Sequence, residues 1–598
     1  MNKKKIFGFS RIVLVWILFF SGSSLLLGRL FYLQVMKGSW LTNKAKNQQT
    51  IILNTFQPRR TICDRNGIPL AIDTLAYDIF AHPLHFKKST FDIANELYSI
   101  LNLDVEYLQN LFIKNTTGIC IAHQAPEQIA NQIIAKNIEG IELVQHPKRY
   151  YPYKQLCADV IGYVNTLHEG QAGLELSCQE SLQLQSPEVV SAIDGRGFLI
   201  NDGIPRELFK QDSLCLQLTI DLDLQKASYL AIYDGIKKCN AKRGTVIILD
   251  PYTGAILALV TAPSYDPNVY YDFPIERFKN WPVIDLYEPG STFKPINMAI
   301  ALEAKAIKKN DFFYDEGCIQ ISDTIITNNN YYNKQFACDK NSHLNITDVL
   351  SNSSNVGMVH ILQRLAPEIY YQWIQKLGLG NNVFLETDFP LSSYSSLKNI
   401  LEFTSYNIES AVTSFGQGLA MTPIKLAQLY ACLSNGGNII RPYIVDGLFD
   451  IQNEKLFTLN NNIFDQNISL KRKLLKTKVF SPSTTEIVLD MLEEVIFNGT
   501  GSSCFLPGYR IGGKTGTSQK HAEQGGYSTK HILTSFAAIF PINNPQYVIL
   551  SVIDEPSIPL SFGSNTAGPV VRSIIESLIR IKKIPPSIPT LTHHYYCK

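Results

Sequence analysis

The stretch EPGSTFKP, Glu288 to Pro295, places a Ser and, three residues later, a Lys at the head of an apolar run with helical spacing. Pro295 falls near the start of that run, where a helix tolerates it, so the spacing predicts a helix over Thr292–Ala304 with Ser291 at its N-terminus. Lys294 then lies one turn on, on the same face. A Ser hydroxyl is a weak nucleophile until a base takes its proton, and a Lys one turn away serves if burial or a second cation lowers its proton affinity. The pair alone decides little. Ser395 to Lys398, SSLK, has the same spacing, and Ser291 could simply cap its helix.

Two further motifs follow in order. Ser353-Ser354-Asn355 lies in ITDVLSNSSNVGMVHILQRLA, a segment of helical rhythm, and Lys514-Thr515-Gly516-Thr517 follows the short extended entry YRIGG. Each has a plain alternative, a cap for the first and a tight turn for the second, and Ser405-Tyr406-Asn407 is a decoy for the Ser-x-Asn pattern. Together the residue types fit acyl transfer. Lys514 supplies the second cation for Lys294. The helix N-terminus at Ser291 points N–H groups toward developing negative charge. Thr515 and Thr517, beside Lys514, offer hydroxyls and charge to a carboxylate.

Around these motifs, LTIDLDLQ opens a block in which GTVIILDPYTGAILALV reads as a hairpin turning at Asp250–Gly254. TSFAAIFP and QYVILSVIDEP read as strands, and PVVRSIIESLIRIKK as an amphipathic helix. A sheet flanked by helices is expected. Between about Lys37 and Asp212 the chain is mixed and loop-rich, with Arg65-Asn66-Gly67 predicting a tight reversal. At the N-terminus, Lys3, Lys4, Lys5 and Arg11 precede the apolar run Ile12 to Gly28. Its length is close to the roughly 20 residues that span a bilayer, and the apolar character resumes after Arg29. A retained signal anchor is expected, rather than a cleaved signal peptide, with the N-terminus cytoplasmic and the remainder extracytoplasmic.

With 598 residues, 45% hydrophobic and 18% charged, the chain has length for several domains and the composition of a globular protein. Its net charge of +2 gives no basic field for nucleic acid. The 11 Cys include no C-x-x-C pair, so neither a zinc site nor a dithiol redox site is expected. Cys318 and Cys338 flank a polar stretch that a disulfide would clip.

The ordered set Ser-x-x-Lys, Ser-x-Asn, Lys-Thr-Gly is similar to that of penicillin-binding proteins and serine β-lactamases. With its flanks the chain resembles class B penicillin-binding proteins from the anchor to about Pro586. GRLFYLQV, RRTICDRNGIPLA, RYYPYKQLCADVIGYV and GQAGLE look like the family's N-terminal module. DLYEPGSTFKP, SSNVG, FGQGLAMTP, NGTG, GGKTGT and VIDEP look like its transpeptidase domain. Arg60 stands where a Gly is usual, and Trp281 where an Arg is expected.

The resemblance implies an α+β multidomain chain: a cytoplasmic tail (1–11), a transmembrane anchor (12–35), a pedestal (36–212), a serine β-lactamase-like transpeptidase domain with an antiparallel sheet flanked by helices and a helical subdomain (213–586), and a tail (587–598). The implied activity is peptidoglycan D,D-transpeptidation, closest in layout to division-specific members, with elongation-specific members as the rival. Ser291 would attack the penultimate D-Ala, with Lys294 as base and Ser353 as a possible proton shuttle. Asn355 would hold the substrate amide, and Lys514, Thr515, Gly516 and Thr517 the terminal carboxylate. β-Lactams would acylate the same Ser. No metal or organic cofactor is implied. The implied partners are stem peptides, lipid-linked nascent glycan, the inner membrane, and a polytopic FtsW-like septal glycosyltransferase with other division proteins. A hydrolase, a β-lactam sensor and a non-catalytic division scaffold are the alternatives.

Overall fold

The computed structural model describes residues 3–53, 58–115, 118–184, 189–192, 213–328, 343–380, 395–453, 455–457, 476–522 and 525–587. They fall into two compact units, 1–57 with 184–211 and 58–183 with 212–598.

In the first unit a 29-residue helix, Lys3–Phe31, runs through the apolar segment. Among the described residues, Arg11–Met36 is the one stretch long and apolar enough to cross a membrane, with mean hydropathy 1.9. A π-helical turn, Tyr32–Met36, ends it. Arg29 lies 5.5 Å from the Tyr32 ring centroid and Lys37 5.4 Å from both the Tyr32 and Trp40 rings. Such aromatic and cationic company suits a membrane interface. Thr50–Leu53 pairs antiparallel with Val189–Ala192.

The second unit begins with the pedestal. Its 13-residue strand Pro69–Ala81 lies between Ile119–Pro126 and Ile141–Tyr150, antiparallel to both. Helices at Thr90–Leu101, Val105–Lys114 and Glu127–Lys136 bury Ile93, Leu97, Leu108, Phe112 and Ile133 against Ile79. The reversal expected at Arg65–Gly67 is present. Asp64 Oδ1 accepts from Asn66 N and Ile68 N, each at 2.8 Å, and Gly67 takes φ +83°. A buried charge network joins three segments distant in sequence. Glu175 accepts from Arg59 Nε at 2.8 Å and from Arg149 Nε at 2.7 Å, and Arg149 Nη1 reaches Asp73 at 3.0 Å. These are the RRTICD, RYYPYK and GQAGLE stretches. Two guanidiniums are tolerable in a dry interior only with carboxylates between them. Arg60 donates its N–H to Leu182 O at 2.7 Å and turns its guanidinium to Ser181 O.

Thr61–Cys63 runs parallel to Leu214–Leu218, which is antiparallel to Val445–Asp450. A seven-stranded sheet therefore joins the pedestal to the segment that follows it.

The rest of this unit is built on a five-stranded antiparallel sheet of β1 (Arg243–Leu249), β2 (Ile256–Ala262), β3 (Gly512–His521), β4 (Tyr527–Phe540) and β5 (Tyr547–Asp554), in the order β3-β4-β5-β1-β2. The hairpin read at Asp250–Gly254 joins β1 to β2, closed by Asp250 N to Ala255 O at 2.9 Å. Alternate residues serve alternate faces. Val246, Ile248, Ile549 and Ile553 pack with helices α1 (Leu222–Cys239) and α6 (Ala567–Lys582). Ile247, Leu249, Val548 and Leu550 share a core with helices α2 (Lys294–Glu303), α3 (Asn355–Leu362), α4 (Pro423–Ser434) and α5 (Pro482–Phe497). Each such side chain contributes about 2 kcal/mol on burial, so the sheet is a rigid floor between two helical layers.

Candidate active site

The predicted helix begins two residues later than its apolar spacing suggests. Gly290–Phe293 forms a 3₁₀ turn, and α2 starts at Lys294 with Pro295 in its first turn. Gly290, whose φ of +56° is left-handed and suits glycine, opens that turn. It sits there because three chain segments converge. Gly290 N donates to Gly416 O at 3.0 Å. A Cβ on Gly290 would lie 2.8 Å from Thr517 O, and one on Gly416 only 2.1 Å from Gly290 O. Ser291 is thereby pressed toward β3 with its side chain half-buried. Asn297 locks the following turn by donating to Thr413 O and Ser414 O at 2.9 and 2.8 Å, while Tyr430 Oη donates to Thr292 O at 2.9 Å.

Lys294 is wholly buried. Its Nζ donates to Ser353 O at 2.6 Å and Asn355 Oδ1 at 2.7 Å, and lies 3.2 Å from Ser353 Oγ. Ser353 supplies both oxygens because its φ is +56°, a left-handed conformation that a non-glycine residue adopts only when its surroundings enforce it. The helix cap belongs to Ser354, between the two motif residues. Its Oγ accepts from Gly357 N at 2.8 Å, leaving Ser353 and Asn355 to face Lys294.

Lys514, in β3, is also wholly buried. Its Nζ lies 3.4 Å from Thr515 O, Thr515 Oγ1 and Thr500 Oγ1. Gly516 lets β3 approach the Ser291 turn, since a Cβ there would lie 2.8 Å from Thr292 Cγ2 and 2.5 Å from Ser535 Oγ. Thr517 Oγ1 accepts from Gly563 N at 3.4 Å. Burial lowers the Lys514 pKa to about 7. Burial first, then the charge of Lys514, holds Lys294 well below the ordinary lysine range, with Asp315 opposing.

The structure thus gathers Lys294, Ser353 and Asn355 into direct contact, with Ser291 one 3₁₀ turn before Lys294. It sets Lys514, Thr515, Gly516 and Thr517 on the adjoining strand. The two decoys are tied elsewhere. Ser395 Oγ accepts from Gly380 N at 3.0 Å and Lys398 pairs with Glu409, while Ser405 ends one short helix and Asn407 begins another. Trp281 is buried with the Arg243 guanidinium 4.5 Å above its ring. Cys318 is half-buried, and its pairing with Cys338 lies outside the described residues.

Four residues near the site were not singled out by the sequence. Glu288 accepts from Gly418 N and Tyr527 Oη at 3.1 Å each, fixing the entry to the Ser291 turn. Thr500 stands beside Lys514. Asp315 and Asn328 bind the Ser354–Asn355 backbone and side chains. Only Thr500, within NGTG, and Glu288, within EPGS, lie in stretches that the sequence had flagged.

Residues 244–576 match the penicillin-binding protein transpeptidase domain, and residues 55–187 the penicillin-binding protein dimerisation domain. A peptidoglycan D,D-transpeptidase FtsI homolog from Chlorokybus atmophyticus is 55% identical, the alignment covering 97% of this chain and 98% of that one. Another so named, from Nephroselmis olivacea, is 37% identical over 94% and 88%. In fold the chain is similar to penicillin-binding protein 3 from Mycobacterium tuberculosis, crystallised with aztreonam, at TM-score 0.65 and 21% identity, covering 90% of this chain and 98% of that one. Ordered motifs, a sheet between helical layers and two matched domains agree: the chain belongs to the penicillin-binding protein transpeptidase family.

Proposed function

We propose that this chain is a peptidoglycan D,D-transpeptidase of the division-specific kind, anchored by its N-terminal helix with the catalytic domain outside the cytoplasm. Relatives named FtsI over nearly the whole chain support the reaction and the septal role. The Lys3–Lys5 cluster before the apolar helix supports the orientation. On this reading the pedestal spans 36–212 and catalysis belongs to 213–586, bounds that contain the matches at 55–187 and 244–576.

The observation that carries the chemistry is the set of oxygens around Lys294 Nζ. A neutral amine has two donors and one lone pair. Ser353 O and Asn355 Oδ1 can only accept, so they take the two N–H groups. The lone pair is left to accept a hydroxyl proton, and Ser353 Oγ at 3.2 Å can supply or relay one. Burial and Lys514 keep Lys294 neutral enough for this.

Ser291 Oγ attacks the carbonyl carbon of the penultimate D-Ala as its proton passes to Lys294. The Ser291 and Thr517 backbone N–H groups receive the oxyanion. Collapse breaks the peptide C–N bond, and the leaving D-Ala nitrogen takes the proton through Ser353. Attack on the ester by an amine of a second stem peptide then forms the cross-link and returns the proton to Ser291. Asn355 holds the donor amide, and Lys514 with Thr515 and Thr517 the terminal carboxylate, whose charge restores the proton that burial removes from Lys514. Water in place of the amine gives carboxypeptidase side activity. β-Lactams enter by the same acylation, and lipid-linked glycan and an FtsW-like glycosyltransferase supply the stems.

The test is covalent labelling by a fluorescent penicillin. Label is expected on wild type and on Ser395→Ala and absent from Ser291→Ala; label retained by Ser291→Ala overturns the assignment.

A further inference from the structure

The Ser353–Asn355 turn is gripped by a second element that none of the three motifs includes. Cys318–Ile321 and Thr324–Thr327 form an antiparallel hairpin whose base is closed by Asn328 N to Gly317 O at 3.0 Å. Asp315 and Asn328 stand at the two feet of this hairpin and meet, with Asn328 Nδ2 donating to both Asp315 oxygens at 2.9 and 3.0 Å. From there each reaches the turn. Asp315 Oδ2 accepts from Ser354 Oγ at 2.5 Å. Asn328 Oδ1 accepts from Asn355 N at 2.7 Å and Val356 N at 3.2 Å. Thr327 O accepts from Asn355 Nδ2 at 2.9 Å.

That last bond decides which end of the Asn355 amide faces Lys294. With Nδ2 committed to Thr327 O, Oδ1 is the atom left for Lys294 Nζ. The hairpin is itself held by an apolar cluster in which Ile321 and Ile326 pack with Val359 of α3 and with Phe415, next to Gly416.

We infer that Asp315 and Asn328 are positioning residues for the acyl transfer, clamping the Ser353–Asn355 turn so that Ser353 O and Asn355 Oδ1 converge on Lys294 Nζ. The inference rests on the reading of Lys294 as the base for Ser291. Asp315 has an electrostatic part as well. Among the described residues, the charged groups that act on Lys294 are Lys514 from β3 and Asp315, and they act in opposite directions. Without the Asp315 charge, Lys294 sheds its proton more readily, so the acid limb of the acylation profile moves to lower pH. A scaffold that merely held the turn would leave that limb in place.

The experiment measures the acylation rate of the full-length chain in detergent by a fluorescent penicillin as a function of pH, with circular dichroism and thermal melts as a check on folding. Asn328→Ala is expected to lose about tenfold or more at every pH, and Asp315→Ala as much on the plateau with its acid limb lowered, because the turn and the Asn355 amide are released. Asp315→Asn keeps its Oδ1 as acceptor for Gly317 N and Asn328 Nδ2, gives up the second bond from Asn328, and can donate from Nδ2 to Ser354 Oγ. It is expected to stay within about threefold of wild type on the plateau, with its acid limb lower by about one pH unit. Asp323→Asn, in the exposed hairpin tip, is the unchanged control. An Asp315→Asn profile that superimposes on wild type overturns the electrostatic part, and folded alanine variants that acylate at the wild-type rate overturn the positioning. Should the alanine variants fail to fold, the Asp315→Asn limb decides. A wild type that takes no label, or a Ser291→Ala that does, would instead overturn the underlying active-site reading.

Discussion

Lys294 Nζ lies 2.7 Å from Asn355 Oδ1, and the same amide donates its Nδ2 to Thr327 O at 2.9 Å. The amide is therefore held at both ends, and it presents a neutral acceptor to the buried amine. Replacing it with a carboxylate, Asn355→Asp, sets a negative charge against Lys294 and favours the protonated amine, which cannot act as a base. Acylation at neutral pH is expected to fall about a hundredfold, with partial recovery as the pH is raised. Stopped-flow acylation by a chromogenic cephalosporin checks this, and an unchanged rate at pH 7 would remove Lys294 from the role of base.

Lys514 makes stability depend on pH. Its folded pKa is lowered to about 7 by burial, while in the unfolded chain a lysine titrates near 10.4. Between those values the unfolded chain binds the additional proton, so the wild type gains stability as pH rises through the window and pays its full penalty below about pH 7. Lys514→Met removes that penalty. The variant is expected to be the more stable by on the order of a few kcal/mol at pH 7, and the gap should close toward pH 10. Thermal melts of both proteins across this range measure it; parallel curves contradict it.

Glu175 is the shared acceptor of two buried guanidiniums. Glu175→Ala leaves Arg59 and Arg149 facing each other with only Asp73 in partial compensation, a loss of about 3–5 kcal/mol. The Tm should drop accordingly, while any folded fraction retains normal penicillin acylation because the network lies in the pedestal. A variant with wild-type Tm would show that the network is not a stabilising element.

Gly416 has φ +84°, and a Cβ there would meet Gly290 O at 2.1 Å. Gly416→Ala forces the Ser291 turn away from Gly416, and a displacement of about 1 Å at a nucleophile can cost a hundredfold in rate. Strong loss of acylation with a modest change in Tm is expected. The reverse pattern, a large Tm loss with acylation intact, would mean that the contact serves folding alone.

Much of this was legible along the chain. The strands carrying TSFAAIFP and QYVILSVID and the helix in PVVRSIIESLIRIKK declare themselves by local periodicity, a property of consecutive residues. The three motifs were legible because their order is a one-dimensional fact. Less was legible where the decisive contact is distant. Asp315 and Ser354 are 39 positions apart, and their bond depends on a hairpin of weakly patterned, half-exposed residues. Apolar spacing puts the start of α2 at Thr292 rather than Lys294, because it cannot tell the 3₁₀ turn Gly290–Phe293 from the α-helix that follows it. The plain alternative for that motif, a helix cap at Ser353 or Asn355, falls instead to Ser354 between them, because only its Oγ reaches Gly357 N.

The parallel pairing of Thr61–Cys63 with Leu214–Leu218 bears on how such a gene can be cut and recombined. Two family segments that look like separable modules on paper meet in a seam of shared backbone hydrogen bonds. A catalytic half expressed from residue 213 alone would expose one edge of a strand whose Cys215, Leu216 and Leu218 are buried, the kind of edge along which chains stick to one another. The natural breakpoint lies before Pro58, upstream of Arg59 and its buried network, so inheritance, shuffling or expression of the enzyme without its membrane helix should carry both halves together.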